Sequence, residues 1–139
     1  MGKITPTIKD LICHPYPITS EISPDGKKVA FILVKTNWSK NRYERICYIY
    51  DIETSKTFQL TQGKSITSLR WYNNSSLAVL KSLDGESKAE KKEQIWVYEE
   101  LYGDGSAITN QATGIQAFEP YERGFVYLAN NLEKKKRKK

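Results

Sequence analysis

The sequence holds one histidine, two cysteines and no apolar run approaching the length of a membrane span, and each shortage closes off a class of function. A helix crossing a bilayer needs about 20 consecutive apolar residues, so no transmembrane segment is expected. The opening MGKITPTIKDLICHPYPI also lacks a continuous apolar stretch of signal-peptide length. A single bridge between Cys13 and Cys47 is too little for a disulfide scaffold, so both read as reduced core residues of a cytoplasmic chain. No Cys/His cluster has zinc spacing, and no Gly-x-x-x-x-Gly-Lys phosphate loop is present. Asp84-Gly85-Glu86 and Asp104-Gly105 lack the acidic ligand series of a calcium loop and read as turns. No metal and no cofactor is implied.

Excess charge is also missing once it is located. The formal net charge is +6, but Lys134, Lys135, Lys136, Arg137, Lys138 and Lys139 are all basic, and without them 16 basic residues face 16 acidic ones. A neutral body offers no broad basic face to track phosphates, so nucleic acid is not expected as a partner. Residues 134–139 read as a solvated basic tail or a cut loop.

What is present in quantity is strand-forming sequence. The apolar residues, 39% of the chain, are mostly Val, Ile, Tyr, Trp and Phe in short blocks separated by polar and Gly-containing gaps. Ile18-Thr19-Ser20 recurs as Ile66-Thr67-Ser68, a shift of 48, and at that shift Val29-Ala30-Phe31 falls on Leu77-Ala78-Val79. Cys47-Tyr48-Ile49-Tyr50-Asp51 then falls on Ile95-Trp96-Val97-Tyr98-Glu99, and Leu60-Thr61 on Ile108-Thr109. A third copy starts one residue later, at Ile115, and continues through GFVYLA, residues 124–129.

Strands are predicted at 18–22, 27–34, 45–51 and 57–61, at 66–72, 77–82, 94–99 and 105–109, and at 115–119 and 124–129. Pro24-Asp25-Gly26 has the chemistry of a tight turn, with proline presetting φ, aspartate bonding local backbone and glycine accepting left-handed geometry. Tyr72-Asn73-Asn74-Ser75 and Tyr121-Glu122-Arg123-Gly124 are expected to turn at the same place, the last through its glycine. The stretches KTNWSKNRYE from Lys35 and SLDGESKAEKKE from Ser82 read as loop insertions between second and third strands. Arg45 to Tyr50 and Gln94 to Tyr98 are nearly all apolar or aromatic, as expected of strands covered on both faces.

Four strands per unit, a period of about 48 and doubly covered sheets predict an all-β fold: a partial β-propeller of about two and a half four-stranded antiparallel blades. A β-sandwich is the rival, but it gives no reason for four blocks to share one offset. The boundaries are a leading segment 1–17, blades at 18–65, 66–114 and an incomplete 115–133, and the tail at 134–139. Polar residues on the first strands, Thr19, Glu21, Thr67, Arg70, Gln116 and Glu119, are the candidates to face the propeller channel.

The succession ISPDGKKVAFI, CYIYDIETSKTFQLT, ITSLRW, QIWVYEELYGDGSAIT and GIQAFEPYERGFVYLA resembles the N-terminal propeller of the prolyl oligopeptidase family of serine peptidases. The likeness is strongest to acylaminoacyl-peptidase and dipeptidyl-aminopeptidase-like members, and it covers almost the whole chain. It implies an α/β-hydrolase domain with a Ser-Asp-His triad elsewhere in a parent protein, and peptides as that protein's substrates. Gly-x-Ser-x-Gly is absent here: Gly63-Lys64-Ser65-Ile66-Thr67 and Gly85-Glu86-Ser87-Lys88-Ala89 both lack the closing glycine. His14, beside Pro15, has no serine and carboxylate partners to make it a general base. No catalytic residue is therefore assigned.

A propeller of about four to eight blades cannot close on two and a half. The expectation is a piece of a larger protein whose partners are the remaining blades and the hydrolase domain, with self-association through open blade faces. The role implied is gating of peptides by a cytoplasmic peptidase's propeller. The alternatives are a non-enzymatic propeller module for protein interaction, and a ring completed by oligomerisation around a small ligand.

Overall fold

The structure, a computed structural model, describes residues 2–62, 65–82 and 92–131. A short helix α1 (Ile8–Ile12) precedes three antiparallel sheets. The first contains β1 (Tyr16–Ile22), β2 (Lys28–Asn37), β3 (Arg42–Asp51) and β4 (Lys56–Gln59) in that spatial order. The second contains β5 (Ile66–Trp71), β6 (Leu77–Lys81), β7 (Gln94–Tyr98) and β8 (Ser106–Ala107), and the third pairs β9 (Ile115–Tyr121) with β10 (Gly124–Ala129). The basic tail, the two near-matches to a nucleophile motif and most of the stretch from Ser82 lie wholly or partly outside the described residues.

Stacking of sheets, more than the ladders within them, makes the core. Alternate side chains of the first sheet (Ala30, Ile32, Cys47, Ile49, Leu60) meet one face of the second (Ile66, Leu69, Trp71, Leu77, Val79, Tyr98). The other face of the second sheet (Ala78, Leu80, Ile95, Val97) meets Ile115 and Phe118 of the third, with Phe125 against them. Burying one Ile or Leu contributes roughly 1.5–3 kcal/mol, so these two interfaces dominate the stability. β7 is covered on both faces, as expected. β3 is not: Cys47 and Ile49 are buried, whereas Tyr48 and Tyr50 on its other face are half-buried. There Tyr48 stacks on Phe31 at 5.7 Å, and the Lys35 ammonium lies 5.0 Å above its ring.

The repeat has a hydrogen-bond signature. Thr61 Oγ1 accepts from Cys47 N at 3.1 Å, and Thr109 Oγ1 accepts from Ile95 N at 2.9 Å. Leu60 N and Ile108 N donate to the carbonyls of the same two residues, each at 2.9 Å. Residues 48 apart thus occupy equivalent places in β2 to β4 and β6 to β8. Along the first strands the offset is 49 instead. Glu21 pairs with Ala30, and Arg70 with Ala78, because six residues separate Ile22 from its partner Val29 and five separate Trp71 from Leu77.

Several local expectations are corrected. KTNWSKNRYE is not a loop: β2 and β3 continue through it, pairing Lys35 with Glu44, Thr36 with Tyr43 and Asn37 with Arg42. Asn37 makes the tight reversal possible, its Oδ1 accepting from Ser39 Oγ at 2.9 Å and Lys40 N at 3.1 Å, with Asn41 left-handed at φ 47°. In the third hairpin the left-handed residue is Glu122 at φ 50°, and Gly124 instead starts β10 opposite Tyr121. The first turn behaves as read: Gly26 has φ 75°, and Asp25 Oδ1 accepts from Ser23 Oγ and Lys27 N. Those bonds, Ser23's foremost, hold the Asp25 carboxyl below its ordinary range. β8 is shorter than the predicted 105–109, since Thr109 takes over the Ile95 amide with its side chain.

The leading segment, for which no element was predicted, forms α1 through a capping box. Asp10 N donates to Thr7 Oγ1 at 3.2 Å and Thr7 N to Asp10 Oδ2 at 2.8 Å. The helix rests on the extended hairpin through Thr36 Oγ1 bonded to the Ile12 carbonyl and Lys9 above the Trp38 ring. Cys47 is a buried free thiol as expected, whereas Cys13 is only half-buried and belongs to no core cluster.

Candidate functional site on the first strands

β1 and β5 lie against each other, as do β5 and β9, so the first strands of the three sheets form one series. Three of the six candidate residues meet there. Arg70 Nε donates to Glu119 Oε1 at 2.9 Å, and its Nη1 lies 3.5 Å from Glu21 Oε2 and 2.8 Å from its neighbour's carbonyl, Leu69 O. The spacing is 49 residues on either side, so one guanidinium on the middle sheet is shared by equivalent carboxylates of both flanking sheets. The trio carries one positive and two negative charges. Arg70 and Glu21 keep about a third of their side-chain surface exposed and Glu119 keeps 64%, so each pair contributes only about 0.2–1 kcal/mol.

The other three candidates are placed differently. Thr67 and Gln116 are the extra residues of β-bulges, interrupting the register between Ile66 and Ser68 and between Ile115 and Ala117. Thr67 Oγ1 donates to Glu93 Oε2 at 2.9 Å and Gln116 Nε2 to Asn130 Oδ1 at 3.1 Å, so both engage their own sheets' loops. Thr19 is half-buried, paired with Ile32 on the face of β1 that also carries Glu21.

Two residues missed by the sequence reading complete the connection. Trp71 Nε1 donates to the Glu21 carbonyl at 2.9 Å, reaching back to the first sheet. Tyr72 Oη donates to the Arg123 carbonyl at 3.0 Å and its ring stacks on Phe125 at 5.2 Å, reaching forward to the third. Arg70, Trp71 and Tyr72 are consecutive, and together they bond both neighbours. The available signal was position: an aromatic pair, Trp71 ending β5 and Tyr72 opening the hairpin turn, where the first sheet has Ile22 and Ser23.

Nothing in this arrangement resembles a reaction centre. His14 is exposed, and among the described residues no group of three His, Cys, Asp or Glu side chains could hold a metal ion. The groove of about 380 Å³ at the outer rim is lined by Phe58, Gln59, Leu60, Gln62 and residues 101–104, with no serine, cysteine or histidine among them.

Antiparallel sheets stacked face to face, with first strands adjacent and fourth strands at the rim, are the layout of propeller blades. The chain is a partial β-propeller. Solved structures share the layout, two propeller-containing proteases among them. The β-propeller domain of the Trilobed protease from Pyrococcus furiosus, described as having an open velcro topology, matches 78% of this chain with a TM-score of 0.61 at 18% identity. Acylaminoacyl peptidase from Pyrococcus horikoshii matches 81% with a TM-score of 0.63, also at 18% identity. These likenesses establish the fold, and they agree with the propeller resemblance read from the sequence. The propeller segment spans 31% of the first of those chains and 17% of the second. No protein-family model matches it, and neither does any curated protein.

Proposed function

We propose that this propeller segment belongs to a cytoplasmic serine peptidase of the acylaminoacyl-peptidase type. In that role it restricts access of peptides to a separate α/β-hydrolase domain and breaks no bond itself. The observation that carries the reading is the joining of Glu21, Arg70 and Glu119 across three successive first strands. These strands would line the channel of a completed ring, and their ion pairs would bridge neighbouring blades around it. Thr19, Thr67 and Gln116 would add polar groups beside them, so peptides would be selected by bulk and conformation and not gripped by an apolar pocket. The fold it shares with propellers of a protease and an acylaminoacyl peptidase supports this reading.

The test is to read the source transcript through codon 139 and express its full frame. The expected result is a downstream Gly-x-Ser-x-Gly motif and a product that a fluorophosphonate labels, while residues 1–139 alone stay unlabelled. A stop codon directly after codon 139, or labelling of residues 1–139, would overturn it.

A further inference from the structure

We infer that the outer rim between the two complete sheets is a docking site for an extended peptide segment of another protein that carries two arginines separated by one residue. The turn after the third strand reverses its charge from one sheet to the next. In the first sheet Asp51 and Glu53 are answered by three lysines: Asp51 stands opposite Lys28 and Lys56 in the ladders, and the Lys27 ammonium lies 3.6 Å from Glu53. At the offset of 48 residues, Lys27, Lys28 and Lys56 are replaced by Ser75, Ser76 and Asp104, while Asp51 and Ile52 are replaced by Glu99 and Glu100. Three lysines facing two carboxylates thus become three carboxylates facing none. Among the described residues no side chain pairs with Glu99, Glu100 or Asp104.

This turn stands over two cavities. Leu101 packs against the core between the sheets, while its neighbour Tyr102 is 85% exposed. On one side Tyr102 and Phe58 wall the groove of about 380 Å³, which also holds Asp104. On the other, Tyr102 borders a cavity of about 240 Å³ together with Glu99 and Ser106. Each cavity therefore joins an aromatic wall to a carboxylate, and none of their described lining residues is cationic. A guanidinium fits this pairing, because it stacks on aromatic faces and meets a carboxylate through two parallel N–H donors, where an ammonium offers a point charge. Side chains on the same side of an extended segment stand roughly 7 Å apart, enough to straddle one tyrosine ring. The occupant is accordingly an Arg-x-Arg segment lying across Tyr102, one arginine beside Asp104 and the other beside Glu99. An acidic segment would be repelled, and an apolar one would cover the carboxylates unpaired. Both walls belong to complete sheets, and the inference needs only the fold, whether or not the peptidase reading holds.

The probe is the acetylated, amidated peptide GRGRG, titrated into the intact chain and followed through backbone amide NMR shifts. Saturable shifts are expected at 58–62 and 99–106. Replacing both arginines by citrulline keeps their shape and removes their charge, and should weaken binding by roughly tenfold or more. Tyr102→Ala and Asp104→Asn should each weaken it by roughly threefold or more at an unchanged urea midpoint, since both side chains are exposed. Equal binding of the citrulline peptide overturns the inference and needs no variant to show it. Absence of saturable shifts at 58–62 and 99–106 with millimolar GRGRG overturns it as well. Binding that emerges only after residues 134–139 are removed would assign the rim to the chain's own basic tail, and overturns it too.

Discussion

Replacing Gly105 by alanine tests the packing of the rim against the core. Gly105 has φ 71°, and a Cβ built there falls 2.8 Å from Tyr98 Cζ and 2.9 Å from Cε1. Tyr98 is 1% exposed within the interface of the first two sheets, so its ring has little room to retreat. Two costs add: about 1–2 kcal/mol for an L-residue in left-handed geometry, and about 1–3 kcal/mol for overpacking a closed site. Gly103 provides the control, for it has φ 76° and nothing within 4 Å of the equivalent Cβ. Gly103→Ala should therefore carry the first cost alone. Equilibrium urea unfolding followed by fluorescence of Trp71 and Trp96, which flank the site, measures both. The two variants should differ by about 1–3 kcal/mol, with Gly105→Ala the less stable. Equal destabilisation would refute the reasoning, since conformation would then account for everything and the ring contact for nothing. Tyr98→Leu should shrink the gap by removing the ring atoms that the new methyl meets.

Glu100 and Leu101 are consecutive left-handed residues at φ 53° and 55°, so Glu100→Gly should raise the unfolding free energy by about 1 kcal/mol, read from the urea midpoint. Arg70→Met should lower it by about 0.5–2 kcal/mol at low salt, and the difference from wild type should shrink in 1 M NaCl; a salt-independent loss would mean that packing, not charge, holds the guanidinium. Burial pushes the Cys47 thiol up from 9.0 to about 12. Its stability contribution is then complete below the unfolded value near 9 and is lost as pH rises toward 12, because the unfolded chain releases the proton first. Native alkylation at pH 8 should accordingly modify Cys13 much faster than Cys47, and comparable rates would contradict the burial.

The blades were legible because β2 to β4 and β6 to β8 repeat the same chemistry at one offset, down to Thr61 and Thr109 accepting equivalent amides. The first strands were less legible. Their offset of 49 arises in a turn one residue longer, where Pro24-Asp25-Gly26 and Asn73-Asn74-Ser75 share function without sharing letters. Glu21, Arg70 and Glu119 could be found as polar residues in otherwise apolar strands. Thr67 and Gln116 could not be placed by the same alternation, because a bulge breaks the two-residue period at those positions. The helix at Ile8–Ile12 was written in Thr7 and Asp10 as a capping pair, but so brief an apolar period is hard to separate from coil. The long hairpin was hidden by the polar run around Asn37 to Arg42, which only its pairing partners reveal as strand.

Bonding both neighbours through residues 70–72 gives the middle blade a mechanical consequence. A load that tilts β5 is delivered to the first and third blades at once, through opposite sides of a single three-residue hinge. The trio is thus braced as a lever about one fulcrum, so torque applied at either end reaches the other without passing through the rim.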